Sequence, residues 1–93
     1  MSEGDVAATG SLLRFPCDFP IKAMGRAAPG FDSLVADIVR RHVPALGEGA
    51  VSVRGSRGGN YVAVTVTVQA ESQAQLDAIY RDLSACPDVL MSL

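Results

Sequence analysis

The chain has 93 residues, 48% of them hydrophobic, enough for one core and one domain but not for two. Its formal charge of −2 argues against nucleic-acid binding driven by the overall field, because neutralising phosphates takes clustered Lys and Arg. It lacks the run of about 18 apolar residues a membrane helix needs, and MSEGDVAATGSLLRF places acids where a secretory leader carries positive charge; the expected location is the cytoplasm, with no membrane partner.

Residues 1–11 are small and polar without periodicity, and read as a disordered tail ahead of a single domain over 12–93. In LLRFPCDFP the two prolines exclude a helix and favour an extended lead-in. Phe19, Ile21 and Ala23 then alternate with Pro20, Lys22 and Met24, which predicts a first strand from Phe19 to Gly25. RAAPGF is a loop. After it Phe31, Leu34, Val35, Ile38, Val39 and Val43 recur at helical spacing, predicting a one-sided helix that Pro44 stops. Asp32 in its first turn and Arg40 and Arg41 in its last complement the helix dipole. ALGEGA connects to a second strand, in which Val51 and Val53 alternate with Ser52 and Arg54.

The stretch RGSRGGNYVAVTVTVQA, residues 54–70, sets arginines and paired glycines before a long valine run. A phosphate-cradling glycine loop delivers the chain into a helix N-terminus, where free amides and the dipole hold the anion. Here the glycines lead into a strand. Val62, Val64, Val66 and Val68 fall on one side, and Tyr61, Ala63, Thr65, Thr67 and Gln69 on the other. Gly58 and Gly59 are therefore expected to supply positive φ in a hairpin turn. Burying each valine is worth roughly 1.5 kcal/mol before entropy is subtracted.

Ser72 and Gln75 have the spacing of a capping box, and Leu76, Ile79, Tyr80 and Leu83 share one face of the helix that follows. Pro87 closes it, and VLMSL forms a last short strand. The order is β-α-β-β-α-β. Right-handed crossovers place both helices on one face, which gives an α+β ferredoxin-like sandwich with a four-stranded antiparallel sheet in the order 4-1-3-2.

FPCDFPIKAMG, IVRRHVP, SRGGNYVAVTVTVQA and PDVLMSL together resemble the YbeD-like family of small bacterial proteins of unknown function, over residues 13–93. The resemblance implies the same β-α-β-β-α-β fold and a likeness to ACT regulatory domains. Some members carry the label of lipoate regulators, and the resemblance hands on only that association. It brings no catalytic residues and no cofactor.

The plan hosts several chemistries, and fold alone selects none. A copper-chaperone version needs two cysteines in the loop after the first strand, and residues 25–30 contain none. An RNA-recognition version displays stacked aromatics on the open face, which here offers Tyr61 alone. An acylphosphatase-like version needs a phosphate-gripping loop that GRAAPG does not match. His42, the one histidine, reads as a residue at the helix C-terminus that complements its dipole, since no titratable partner lies near it in sequence. A zinc site would have to recruit scattered carboxylates around it. Cys17 precedes the first strand and Cys86 the last, and these antiparallel neighbours start at opposite ends of the sheet, too far apart for a disulfide. The expectation is a protein that is not an enzyme and carries no metal or cofactor.

Two surfaces remain. In the 4-1-3-2 order Lys22 and Arg54 both point to the open sheet face, flanking Thr65 and Thr67, and with Met24 and Tyr61 they make an amphipathic patch suited to docking a partner; Arg57 lies near it. This favours a non-catalytic regulatory or adaptor domain that binds a protein partner or forms a homodimer. The alternative is an ACT-type sensor in which Arg26, Pro29 and Gly30, in the loop before the first helix, bind an amino acid or another anionic metabolite at the helix N-terminus.

Overall fold

The computed structural model describes residues 14–93. Its strands are β1 (Cys17–Arg26), β2 (Val51–Gly55), β3 (Tyr61–Ala70) and β4 (Met91–Ser92), its helices α1 (Phe31–Arg40) and α2 (Gln73–Ala85), and a 3-10 turn at Glu48–Ala50 leads into β2. The expected tail, with Leu12 and Leu13, lies outside the described residues. The four strands form one antiparallel sheet in the order β2-β3-β1-β4, the ferredoxin-like α+β plan expected from the sequence.

Register sorts the side chains. Phe19 pairs with Val68, Ile21 with Val66 and Ala23 with Val64, so their side chains share the face turned to the helices. Between these pairs Lys22 meets Thr65, Met24 meets Ala63 and Arg26 meets Tyr61, on the opposite face. The core joins Ile21, Val64, Val66 and Val68 to Val35 and Val39 of α1 and Leu76, Ile79 and Leu83 of α2. Every buried side chain among the described residues is apolar, so the core between sheet and helices gains from non-directional burial with no buried polar side chain to satisfy.

The strand boundaries differ from the expected ones. β1 begins at Cys17 and runs through Arg26, because it pairs along the whole of β3, down to Cys17 opposite Ala70. Cys17 is therefore the first residue of the strand and does not precede it. Pro20 is tolerated inside the strand for a reason read from the ladder. The amide of Lys22 donates to Leu93, so the even-numbered residues of β1 turn their backbone groups toward β4, and β4 does not extend as far as Pro20. The missing N–H costs no bond. Both cysteines are free and half-buried.

α1 is also shorter than expected. It ends at Arg40 with Arg41 as its cap, and the amides of His42 and Val43 bend back to the Val39 carbonyl at 2.9 and 3.0 Å. Pro44 disfavours helical backbone in the residue before it, so the chain unwinds ahead of the proline. In the hairpin between β2 and β3 only Gly59 adopts positive φ, at 75°; Gly58 does not. There Ser56 accepts at its carbonyl from Gly59 and at Oγ from Tyr61, so one left-handed residue closes the turn.

α2 starts as the sequence indicates, with Ser72 Oγ accepting from the Gln75 amide at 3.1 Å. Gln75 answers one residue further out than in a standard capping box: its Oε1 accepts from the Glu71 amide at 2.7 Å. Its Nε2 donates to the His42 carbonyl, tying the start of α2 to the end of α1. β4 is only two residues long, but bonds from Leu90 to Met24 and between Leu93 and Lys22 prolong its contact with β1.

Candidate functional site

The face of the sheet turned away from the helices is the candidate site. Across it one row runs Met91, Met24, Ala63, Arg54 from β4 to β2, and the next runs Leu93, Lys22, Thr65, Ser52. Lys22, Met24, Arg54, Tyr61, Thr65 and Thr67, the residues singled out from the sequence, all fall on this face by register. Lys22, Arg54, Tyr61 and Thr67 are exposed, while Met24 and Thr65 are half-buried among their neighbours.

Three further residues belong with them. Met91 and Leu93 are 53% and 61% exposed and extend the apolar part of the patch beyond Met24 and Lys22. Their only signal in the sequence was the ending VLMSL, too short for alternation to fix which side chains face which way. Arg26 is the third: its guanidinium stands 5.9 Å from the centroid of the Tyr61 ring, a cation-π geometry that follows from their pairing across β1 and β3.

The electrostatics of the two layers differ. Lys22, Arg26 and Arg54 lie on the open face, whose only carboxylate among the strand residues is Asp18, opposite Gln69 at the far end. Among the described residues the Arg40–Asp37 ion pair and the hydrogen bond between His42 and Asp82 both lie in the helix layer. The face is thus cationic, with apolar side chains between the charges.

The loop singled out from the sequence lines a different cleft, of about 340 Å³, between the start of α1 and the segment before β4. Pro29, Gly30 and Phe31 form one wall and Asp88 contributes to the other. Gly30 caps α1 in the left-handed region with φ 85° and supplies no side-chain cap. Arg26 borders this cleft, but its guanidinium is placed over Tyr61. Gly25, just before the loop, is buried, and a Cβ there would lie 2.5 Å from the Asp88 carbonyl oxygen and 2.6 Å from the Phe31 ring.

His42 does not cap α1 with its ring. Its Nε2 lies 2.6 Å from the Asp82 carboxylate on α2, a partner 40 residues away that no local reading could supply. The contact links the segment after α1 to α2, a tie between the helices, and the cleft beside His42 is lined by Asp18, Thr67, Gln69, Glu71 and Gln75 among others. Tyr80 makes a second tie: its hydroxyl donates to the Leu93 carbonyl at 2.7 Å, and burial pushes its pKa above the usual tyrosine value. Among the described residues no group of three His, Cys, Asp or Glu side chains is placed to hold a metal ion, and no helix is long and apolar enough to cross a membrane.

Comparison with known proteins places this geometry. The solution structure of protein HP0495 from H. pylori superposes over 100% of this chain and 98% of its own with a TM-score of 0.69, at 9% sequence identity, a likeness of fold alone. A UPF0250 protein of Nitrosomonas europaea is 45% identical over 83 residues, covering 89% of this chain and 95% of its own length. One from Leptothrix cholodnii is 44% identical over 89 residues, covering 96% of this chain and 98% of the relative. The family model described as "Protein of unknown function (DUF493)" matches residues 10–93, and the chain belongs to this DUF493, or UPF0250, family of small bacterial proteins.

Proposed function

We propose that this chain is a non-catalytic, cytoplasmic adaptor or regulatory domain that docks a protein partner, or a second copy of itself, through the open sheet face. The observation that supports it most is the composition of that face: Lys22, Arg26 and Arg54 stand around Met24, Met91 and Tyr61 on four hydrogen-bonded strands. Such a patch combines apolar area that gains from burial with cations that steer and orient a partner carrying acidic groups. It sits on the rigid sheet, so little conformational freedom is lost on docking.

The test is affinity capture from nuclease-treated native lysate, comparing the wild type with a Lys22→Glu/Arg54→Glu variant. Both side chains are exposed, so the double variant is expected to fold with a change in stability within about 1 kcal/mol. A protein retained by the wild type is expected to be lost by the variant. The same proteins retained by both, or nothing retained by either, would remove the reading.

A second reading, an ACT-type sensor of an amino acid or another small anion, is supported by one feature: α1 begins beside the 340 Å³ cleft without a side-chain cap. It ranks second because Asp88 lines the same cleft and would repel an anion. If it holds, titration with amino acids and with lipoate moves the backbone amide resonances of residues 26–31. Unmoved resonances there at millimolar ligand would dispose of it.

A further inference from the structure

The free edge of the sheet at β2 is a second, separate surface. In the hairpin the Ser56 amide donates to the Tyr61 carbonyl. Bonded pairs recur at every second residue of an antiparallel ladder, so Arg54 with Ala63 and Ser52 with Thr65 carry the bonds to β3. The N–H and C=O of Val53 and Gly55 therefore point away from the sheet. Among the described residues no loop or helix bonds to them, whereas the Val51 amide is taken by the Glu48 carbonyl. Edges are ordinarily blunted by proline, bulges or inward charges, and VSVRG has only Arg54, on the open face.

The side chains beside that edge say what it suits. Val53 lies on the helix-side face yet is 52% exposed, because α1 stops short of covering it. Beyond it opens a cleft of about 390 Å³, walled by Ala36 and by the carboxylates of Asp32, Asp37 and Glu48. Arg40, the one cation there, is held by Asp37 at 3.1 Å. A strand added at this edge would set the residue opposite Val53 against Val53 and Ala36, and would set the residues two positions either side of it near the carboxylates. A second copy fits poorly: a two-fold axis at Val53 would bring the same carboxylates from both chains to one seam.

We propose that the β2 edge accepts an extended basic segment of another protein as a fifth strand, with a small apolar residue opposite Val53 and cationic residues two positions before and after it. Main-chain bonds to Val53 and Gly55 supply the attachment, and the carboxylates select the charge. This surface is distinct from the open face, so either reading can fail without the other.

The experiment titrates the isotope-labelled full chain with the peptide acetyl-Gly-Lys-Ser-Val-Ser-Lys-Gly-amide, and with a control in which both lysines are glutamates. The expected result is chemical-shift change confined to residues 51–55 and 32–37, slowed exchange of the Val53 and Gly55 amides, and no response to the control. Asp37→Lys/Glu48→Lys, at two exposed positions, is expected to weaken binding roughly tenfold, the combined effect of two solvent-exposed charge contacts. Val53→Pro removes the outward amide without removing a bond to β3, and is expected to abolish binding while the remaining resonances stay in place. The proposal is overturned by shifts centred on Lys22 and Thr65, by equal response to the control peptide, by unchanged affinity in the charge variant, by no response at millimolar peptide, or by a chain that already dimerises through β2.

Discussion

Gly25→Ala is expected to lower the unfolding free energy by about 3 kcal/mol, the upper end of what overpacking a core costs. For a domain of this size that corresponds to a fall in Tm of roughly 15 °C. The physical reason is the close approach at the end of β1. The new methyl would lie 2.5 Å from the Asp88 carbonyl oxygen and 2.6 Å from two atoms of the Phe31 ring, distances that real Cβ contacts essentially never show. Phe31 is 5% exposed and packed in the core, and the Asp88 oxygen belongs to the backbone, so neither partner yields by a simple rotation. Thermal and urea denaturation of the two chains, followed by circular dichroism, read the difference. Phe31→Leu in the Gly25→Ala chain removes the ring contact but leaves the carbonyl contact, so the double variant should be less destabilised than the sum of the singles. A loss below about 0.5 kcal/mol for Gly25→Ala would mean that α1 and the segment before β4 are not closed onto β1 as described.

The sequence was legible where a side-chain period persisted long enough to fix a phase. Phe19, Ile21 and Ala23 on one strand and the four valines of β3 on another each define a buried side, and matching those sides places Lys22, Arg54, Thr65 and Thr67 together on the other. Where the period is interrupted the reading stops short. Pro16 and Pro20 hide the first residues of β1, because whether a proline is tolerated in a strand depends on which edge its missing amide faces, and only the ladder shows that β4 does not reach it. Met91 and Leu93 were missed because a two-residue strand has no phase of its own until the Leu90 and Leu93 bonds to β1 assign one. The tie from His42 to Asp82 depends on how two helices pack, which the periodicity of either helix leaves undetermined. The family resemblance covered nearly the whole chain, but it passed on a fold without a site.

Val66→Ala and Val53→Ala make a paired prediction in which residues with the same signature in the sequence part widely. Both are valines in alternating strands, on the helix-side face. Val66 is 0% exposed, at the centre of β3, with Ile21 opposite it on one side and Val51 on the other. Removing its methyl groups forfeits about 0.8 kcal/mol for each buried carbon and leaves a cavity the surrounding strands cannot close, so the expected loss is about 2 to 3 kcal/mol. Val53, 52% exposed on the edge strand, should lose only about 0.5 kcal/mol, mostly strand propensity. Urea denaturation at two protein concentrations measures both. A Val53→Ala cost that matches the Val66→Ala cost and grows with protein concentration would show the β2 edge covered by a second copy, and the basic-segment proposal would fall. A small, concentration-independent cost would leave that edge open in the folded chain, as strand addition from another protein requires.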